Sequence, residues 1–290
     1  MTTSDPDPGA AVTVASTRAE LRKALTESGA GRGARVALVP TMGALHRGHA
    51  ALFDEARSRA QLLVASVFVN PLQFGAGEDL SRYPRTLDAD LTLCGQHGVD
   101  VVFAPSRDVV YPVWPPAVMV DPGRLGAVLE GASRPGHFRG VLTVVTKLFG
   151  LVAPDVAVFG RKDYQQLVLI DQLVADLFMP VEVVGAETVR EPDGLALSSR
   201  NRYLSAAERV SALALSRALL AGQAAGPSGP NGVLAAAEAV LASEPGVVVS
   251  YLSLRGTDLR DAPSSGEARL LIAAKVGTVR LIDNLAVQLC

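Results

Sequence analysis

The chain has little cysteine: Cys94 and Cys290 are its only two. That excludes a disulfide framework and a thiolate metal cluster. It also lacks a surplus of basic charge, with a formal net charge of −2, so no global field draws it to nucleic acid. Apolar runs are broken by Arg, Asp or Pro well short of the ~18 to 20 residues that a membrane span needs. The opening "MTTSDPDPGAA" has no charged-then-apolar order of a secretory signal. A soluble cytoplasmic protein without nucleic-acid or membrane partners is expected. None of its lysines follows a glycine, which excludes a Gly-Lys-Ser/Thr phosphate loop. The glycine-rich "GAGRG" (29–33) precedes an apolar run instead of following one, so it reads as a loop and not as a dinucleotide-binding turn.

What the chain does have is apolar content, 49% over 290 residues, enough for one large α/β domain or two unequal ones. Residues 1–10 read as a loose tail. Short β-branched runs at 35–40, 62–70, 100–105, 156–160 and 181–187 alternate with helix-like segments at 48–60, 86–97, 138–151 and 162–178. Continuous apolar strands alternating with helices predict a Rossmann-like, doubly wound parallel sheet whose ligands lie beyond the carboxyl ends of the strands. After residue 188 the pattern changes. Alanine-rich helices at 205–221 and 231–243 flank a surface loop, "GPSGPNG", and three strand-like runs follow at 247–254, 268–277 and 279–289. The predicted division is therefore a nucleotide-binding domain over 1–188 and a smaller α+β domain over 189–290.

Four stretches carry chemistry, each at the end of a predicted strand or at the domain junction. "TMGALHRGH" follows the first strand with a glycine-bearing turn, and His46 and His49 stand where a helix begins. Free backbone N–H groups and the helix dipole there favour an anion, and imidazoles can donate to phosphate oxygens. A metal would need a third ligand that the sequence does not supply nearby, and simple helix capping is the remaining alternative. "FVNPLQF" brings Asn70 and Gln73 to a proline turn; neutral amides bind hydroxyls or a carboxylate without adding charge, though Asn-Pro is also ordinary turn chemistry. In "FGRKDYQQL", Lys162 sits at the positive end of a helix and invites an anion, with Gln166 four residues on, on the same predicted face. "EPDGLALSSRNRYLS" joins the domains with serines and Arg200, a set suited to polyphosphate and to a closing lid, or else to an Asp-Gly turn followed by a Ser205 helix cap.

Taken in order, "PTMGALHRGH", "FVNPLQF", "YPRT", "RPGHFRGV", "FGRKDYQQL" and "LALSSRNRYL" resemble the motif series of the pantothenate synthetases, HIGH-motif nucleotidyltransferase relatives, over nearly the whole chain. The resemblance implies a Rossmann-like domain with a small C-terminal lid, and a homodimer. The activity it implies is condensation of pantoate with β-alanine, using ATP and Mg²⁺, through a pantoyl adenylate with release of AMP and pyrophosphate. It implies ATP contacts from Met42, Gly43, Ala44, Leu45, His46, Arg47, Gly48 and His49, from Gly160, Arg161, Lys162 and Asp163, and from Val189, Leu197, Ser198, Ser199 and Arg200. His46, His49, Lys162 and Arg200 take catalytic roles, and Gln73 and Gln166 with Asn70 bind pantoate.

The sequence departs from the family's pattern at three places. Ala89 separates Asp88 and Asp90 where consecutive aspartates are usual, so the metal ligands stay unassigned. Arg161 stands where Glu is common, and Leu197 replaces a frequent Met. The alternatives are another HIGH-type nucleotidyltransferase, or an ATP-binding module without catalysis. The paired-amide turn fits a hydroxy acid better than a phosphate ester, and a silent module would be expected to lose His49 or Lys162 first.

Overall fold

The computed structural model describes residues 12–75 and 78–290, and the tail expected over 1–10 lies outside them. The strands are β1 (Thr13–Ala15), β2 (Val36–Thr41), β3 (Leu62–Val67), β4 (Val101–Phe103), β5 (Val156–Gly160), β6 (Glu182–Ala186), β7 (Val247–Gly256), β8 (Gly266–Val276) and β9 (Val279–Leu289). The helices are α1 (Arg18–Glu27), α2 (Arg47–Arg57), α3 (Leu87–Gln96), α4 (Arg107–Val110), α5 (Glu130–Ser133), α6 (His137–Val152), α7 (Tyr164–Asp176), α8 (Ala206–Ala224) and α9 (Gly229–Ala242). The chain divides into two compact units. The first holds 12–127, 134–160 and 169–186; the second holds 128–133, 161–168 and 187–290.

In the first unit six parallel strands form one sheet in the order β1-β4-β3-β2-β5-β6. Ala37, Leu38 and Val39 of β2, Leu63, Val64 and Ala65 of β3 and Val156, Ala157 and Val158 of β5 are all fully buried. Burial on both faces is why these strands read as unbroken apolar runs. The chain steps from β2 to β3 and β4 on one side and to β5 and β6 on the other. The reversal falls between β2 and β5, and in open α/β sheets ligands bind beyond the carboxyl ends of the strands at that switch point. The "TMGALHRGH" turn follows β2, and β5 ends at Gly160.

In the second unit β7, β8 and β9 form an antiparallel sheet whose apolar face packs with α8 and α9. Ala212, Ala214, Ala218 and Ala237 are fully buried against Leu270 and Ile272. Small side chains let helices lie close: a Cβ on Gly222 would come within 2.4 Å of Leu270.

One expectation is corrected. "GPSGPNG" is not a free loop, because Gly226–Ser228 forms a 3-10 turn and α9 begins at Gly229. Proline is accommodated in the first turn, where its missing N–H has no intrahelical partner, and Gly226 is buried where a Cβ would meet the Gln288 carbonyl at 2.2 Å. The sequence reading also passed over β1 and α1. A three-residue strand against β4 carries too little period-2 signal to announce itself, although α1 has a full capping box from Thr17 and Glu20. No helix among the described residues is long and apolar enough to cross a membrane.

Candidate functional site

The residues at the end of β2 form a tight, cross-braced turn. Thr41 Oγ1 donates to the Ser66 carbonyl at 2.6 Å and accepts from the Gly43 N–H at 3.2 Å. Gly43 and Ala44 both have positive φ, 80° and 52°, and the next two amides aim at one acceptor. Asp90, 2% exposed on α3, takes the Ala44 N–H at 3.1 Å and the Leu45 N–H at 2.8 Å. A Cβ on Gly43 would sit 2.9 Å from Asp90 Oδ2 and 3.0 Å from Val67, so glycine is needed there for space as well as for its φ.

His46 is the N-cap of α2 and His49 its third residue, joined in a reciprocal capping box. His46 Nδ1 accepts the Gly48 N–H at 3.1 Å, and His49 Nδ1 accepts the His46 N–H at 3.2 Å. The ring centroids are 4.2 Å apart. Capping and anion binding are therefore not rivals in this turn. With Nδ1 an acceptor, the neutral ring carries its proton on Nε2, the form that donates to an anionic oxygen.

The "FVNPLQF" turn comes from the neighbouring strand β3. Asn70 is 1% exposed and caps the 3-10 turn Pro71–Gln73. Its Nδ2 donates to Gln73 Oε1 at 3.0 Å and to the Gly140 carbonyl at 3.1 Å, while Oδ1 accepts from Tyr111 Oη at 2.9 Å. Burial pushes the Tyr111 phenol well above its ordinary range, so it remains a donor. Gln73 is 8% exposed, and its Nε2 lies 2.9 Å from Met42 Sδ, which ties this turn to "TMGALHRGH".

Behind Gln73 stands "RPGHFRGV". The Gln73 carbonyl accepts from His137 Nδ1 at 2.8 Å and from Arg134 at 3.3 Å, and Arg134 pairs with Glu78 at 2.7 Å. Burial alone would raise the Glu78 carboxyl, but the hydrogen bonds and charge of Arg134 outweigh it and hold the carboxyl below its ordinary value. Gly140 permits this contact: a Cβ there would lie 2.3 Å from the Leu72 carbonyl.

The remaining residues belong to the second unit. Arg161–Asp163 forms a 3-10 turn ahead of α7, so Lys162 is not on α7, and the expectation that it shares a helix face with Gln166 is corrected. The lysine is 3.8 Å from Asp163, and Arg161 pairs with Glu187 at 2.9 Å. Gln166 is half-buried in the first turns of α7. Its neighbour Gln165, 3% exposed, accepts the Glu130 N–H at 3.0 Å and donates to the Val128 carbonyl at 2.9 Å. Val189 and Leu197 face each other in a short hairpin, joined by the Leu197 N–H on the Val189 carbonyl at 2.9 Å. Ser198 caps the 3-10 turn Ser199–Tyr203 through the Arg200 N–H at 3.3 Å, and Ser205 with Glu208 forms the capping box of α8.

Sequence reasoning overlooked Asp90 as an anchor, the hold of Arg134 and His137 on Gln73, and the polar pair Asp283 and Asn284 on β9. Each acts on another segment 45 or more residues away, on its backbone or, for Asp283, on the Arg190 side chain, which leaves no local periodicity to read.

Among the described residues, no three His, Cys, Asp or Glu gather in a way that could hold a metal ion. Both Asp90 oxygens already accept backbone N–H groups, and Thr86 adds a donor at 3.2 Å. These residues do not form a protein ligand set for Mg²⁺.

Comparison with known proteins places this geometry in context. Residues 13–286 match the family model described as pantoate-beta-alanine ligase. The pantothenate synthetase of Nocardioides sp. is 59% identical over 95% of this chain and 85% of its own length. That of Nocardia farcinica is 61% identical over 89% and 81%. Among solved structures, the pantothenate synthetase of Thermus thermophilus superimposes with a TM-score of 0.88 at 48% identity, covering 94% of this chain and 99% of that one. The pantoate-beta-alanine ligase of Francisella tularensis, solved with a β-γ ATP ligand and β-alanine, gives a TM-score of 0.78 at 33% identity, covering 95% and 97%.

Proposed function

The chain belongs to the pantoate-beta-alanine ligase family, and we infer from that membership that it condenses pantoate with β-alanine at the expense of ATP. Pantothenate, AMP and pyrophosphate are the products, formed through a pantoyl adenylate. The observation that best supports the adenylating chemistry is Gln73. It is a buried neutral amide, fixed by Asn70 and touching Met42, in the same unit as a helix N-terminus that carries two imidazole donors.

Pantoate's carboxylate is ionised at neutral pH, its reference pKa being ~4, so it attacks the α-phosphorus without a general base. The obstacle is charge, since an anion must approach a polyanion. Neutral Gln73 and Gln166, with Asn70 holding Gln73, position pantoate without adding a further negative charge. His46, His49, Lys162 and Arg200 offset the charge that builds on the phosphate oxygens. Met42–His49, Gly160–Asp163, Val189 and Leu197–Arg200 make up the ATP contacts. We take residues 1–188 as the nucleotide- and pantoate-binding domain and 189–290 as a lid that adds Val189 and Leu197–Arg200 to the ATP contacts.

Mg²⁺ is proposed to enter on the ATP phosphates, and no step is assigned to it. The enzyme is proposed to work in the cytoplasm as a homodimer.

Isotope transfer tests the reading. Radiolabelled pyrophosphate is expected to exchange into ATP when pantoate and Mg²⁺ are present and β-alanine is absent. Oxygen-18 in the pantoate carboxylate should appear in AMP after the full reaction. Label in inorganic phosphate with release of ADP would sink the adenylate route, because it would mean transfer of the γ-phosphoryl group.

A further inference from the structure

The strand β9 carries two adjacent polar residues, Asp283 and Asn284, only 4% and 3% exposed. Burying them costs free energy unless every donor and acceptor is matched, and their partners are specific. Both hydrogens of the Asn284 amide are donated to consecutive carbonyls of the lysine-bearing turn, to Arg161 at 3.0 Å and to Lys162 at 2.8 Å. Its oxygen accepts from Arg269 Nε at 2.7 Å. The Arg269 guanidinium in turn stacks 4.3 Å over the ring of Tyr164, the first residue of α7.

Asp283 holds the other segment. Its carboxylate pairs with Arg190 through two bonds, 2.7 and 3.0 Å, and accepts the Asn284 N–H at 2.8 Å. Arg190 sits between Val189 and the rest of the hairpin and also donates to the Gly194 carbonyl at 3.1 Å. Adjacent residues of one strand therefore hold the backbone of Arg161–Lys162 and, through Arg190, the Val189–Leu197 hairpin.

We propose that Asp283 and Asn284 are positioning residues that hold the Lys162 turn and the Val189–Arg200 segment in fixed register, and so govern adenylate formation. The proposal rests on the ligase reading above, in which both segments contact ATP. Neither residue touches a reacting atom. Asn284 acts through the Lys162 backbone, and a carboxylate of the same shape cannot replace it, because it has no hydrogens to give and would face two carbonyl oxygens.

The test is a double-mutant cycle read by pantoate-dependent pyrophosphate exchange, with folding checked by circular dichroism. A misplacement of a catalytic group by about an ångström costs up to ~100-fold, so Asn284→Asp is expected to lower the exchange rate by roughly 10- to 100-fold when Lys162 is present. In a Lys162→Ala background the same change should cost less than about 3-fold, because residues that act through one another are not additive. Losses that multiply in full, or no loss at all, would overturn the positioning role.

If the buried aspartate prevents folding, Arg190→Lys carries the test, since it keeps the charge and loses the two-bond geometry. It should raise the KM for ATP several-fold and leave that for pantoate unchanged; equal rises would overturn the proposal. An unsubstituted enzyme without pantoate-dependent exchange would instead overturn the ligase reading beneath it.

Discussion

His46 and His49 lie with ring centroids 4.2 Å apart, and each uses Nδ1 to accept a backbone N–H of the same turn. The turn that starts α2 thus fixes the tautomer of both rings. His49→Ala is expected to lower turnover by at least ~100-fold, the scale for losing a donor to developing charge. The lost cap should cost only ~1 kcal/mol of stability. Lys162→Ala should show a comparable kinetic loss. Steady-state rates beside urea melts check this, and near-normal turnover in either variant removes that residue from the mechanism.

Asp90 is an anchor for two backbone amides, so Asp90→Asn should weaken the turn and not a metal site. The expected cost is about 1.5 to 3 kcal/mol, the range for hydrogen bonds to a charged group, with a raised KM for ATP. The Mg²⁺ concentration giving half-maximal activity should stay where it is. A large shift in that midpoint would make Asp90 a metal ligand and contradict its assignment as an anchor.

Gly140 lets α6 touch the turn that carries Gln73. Gly140→Ala would force a Cβ to within 2.3 Å of the Leu72 carbonyl and 2.6 Å of the Gln73 N–H nitrogen. Overpacking of this kind costs ~1 to 3 kcal/mol or more. The displaced Gln73 should weaken pantoate more than ATP, as should Gln73→Ala and Gln166→Ala. Equal weakening of both ligands, measured by calorimetry, would separate Gln73 from pantoate.

Glu78 supplies a pH dependence whose sign follows from its pairing. Its carboxyl is held below the ordinary value of 4.5 by Arg134 against the opposing effect of burial. The ionised pair therefore stabilises the fold above the ordinary carboxylate range, and that contribution is lost as pH falls through the lowered value. Glu78→Gln should be less stable than the unsubstituted protein at pH 7, and the gap should hold down to about pH 4.5 and close only as pH falls below the lowered value. Urea midpoints across that range decide it, and a gap that widens in acid would refute the assignment.

The proposed homodimer directs attention to the segment that follows α4. Val113, Trp114 and Val118 are 67%, 43% and 84% exposed, an apolar surface of the kind that marks interaction sites. Sedimentation at micromolar protein should show a dimer, and Trp114→Asp combined with Val118→Asp should shift it towards monomer. A monomer at all concentrations would refute the oligomeric proposal.

The sequence by itself determined the strands buried on both faces, the alanine-rich helices and antiparallel strands of the C-terminal part, and the position of the candidate site residues at strand ends. Each rests on local signals: apolar runs such as "LLVASV", alanine-rich helices, and glycine or proline beside histidine, lysine and amide. It also left open whether His46 and His49 cap a helix or meet an anion, and only the backbone geometry showed that one nitrogen of each ring caps. Tertiary structure alone decided what Asp90 does, because its partners Ala44 and Leu45 lie about 45 residues away. It likewise revealed how Arg134 and His137 hold Gln73, and why β9 carries Asp283 and Asn284 in a strand that otherwise reads as apolar core. Hydrogen bonds to the backbone of a distant segment depend on how the chain packs and leave no spacing in the sequence, so they became legible only once the strands and helices were in place.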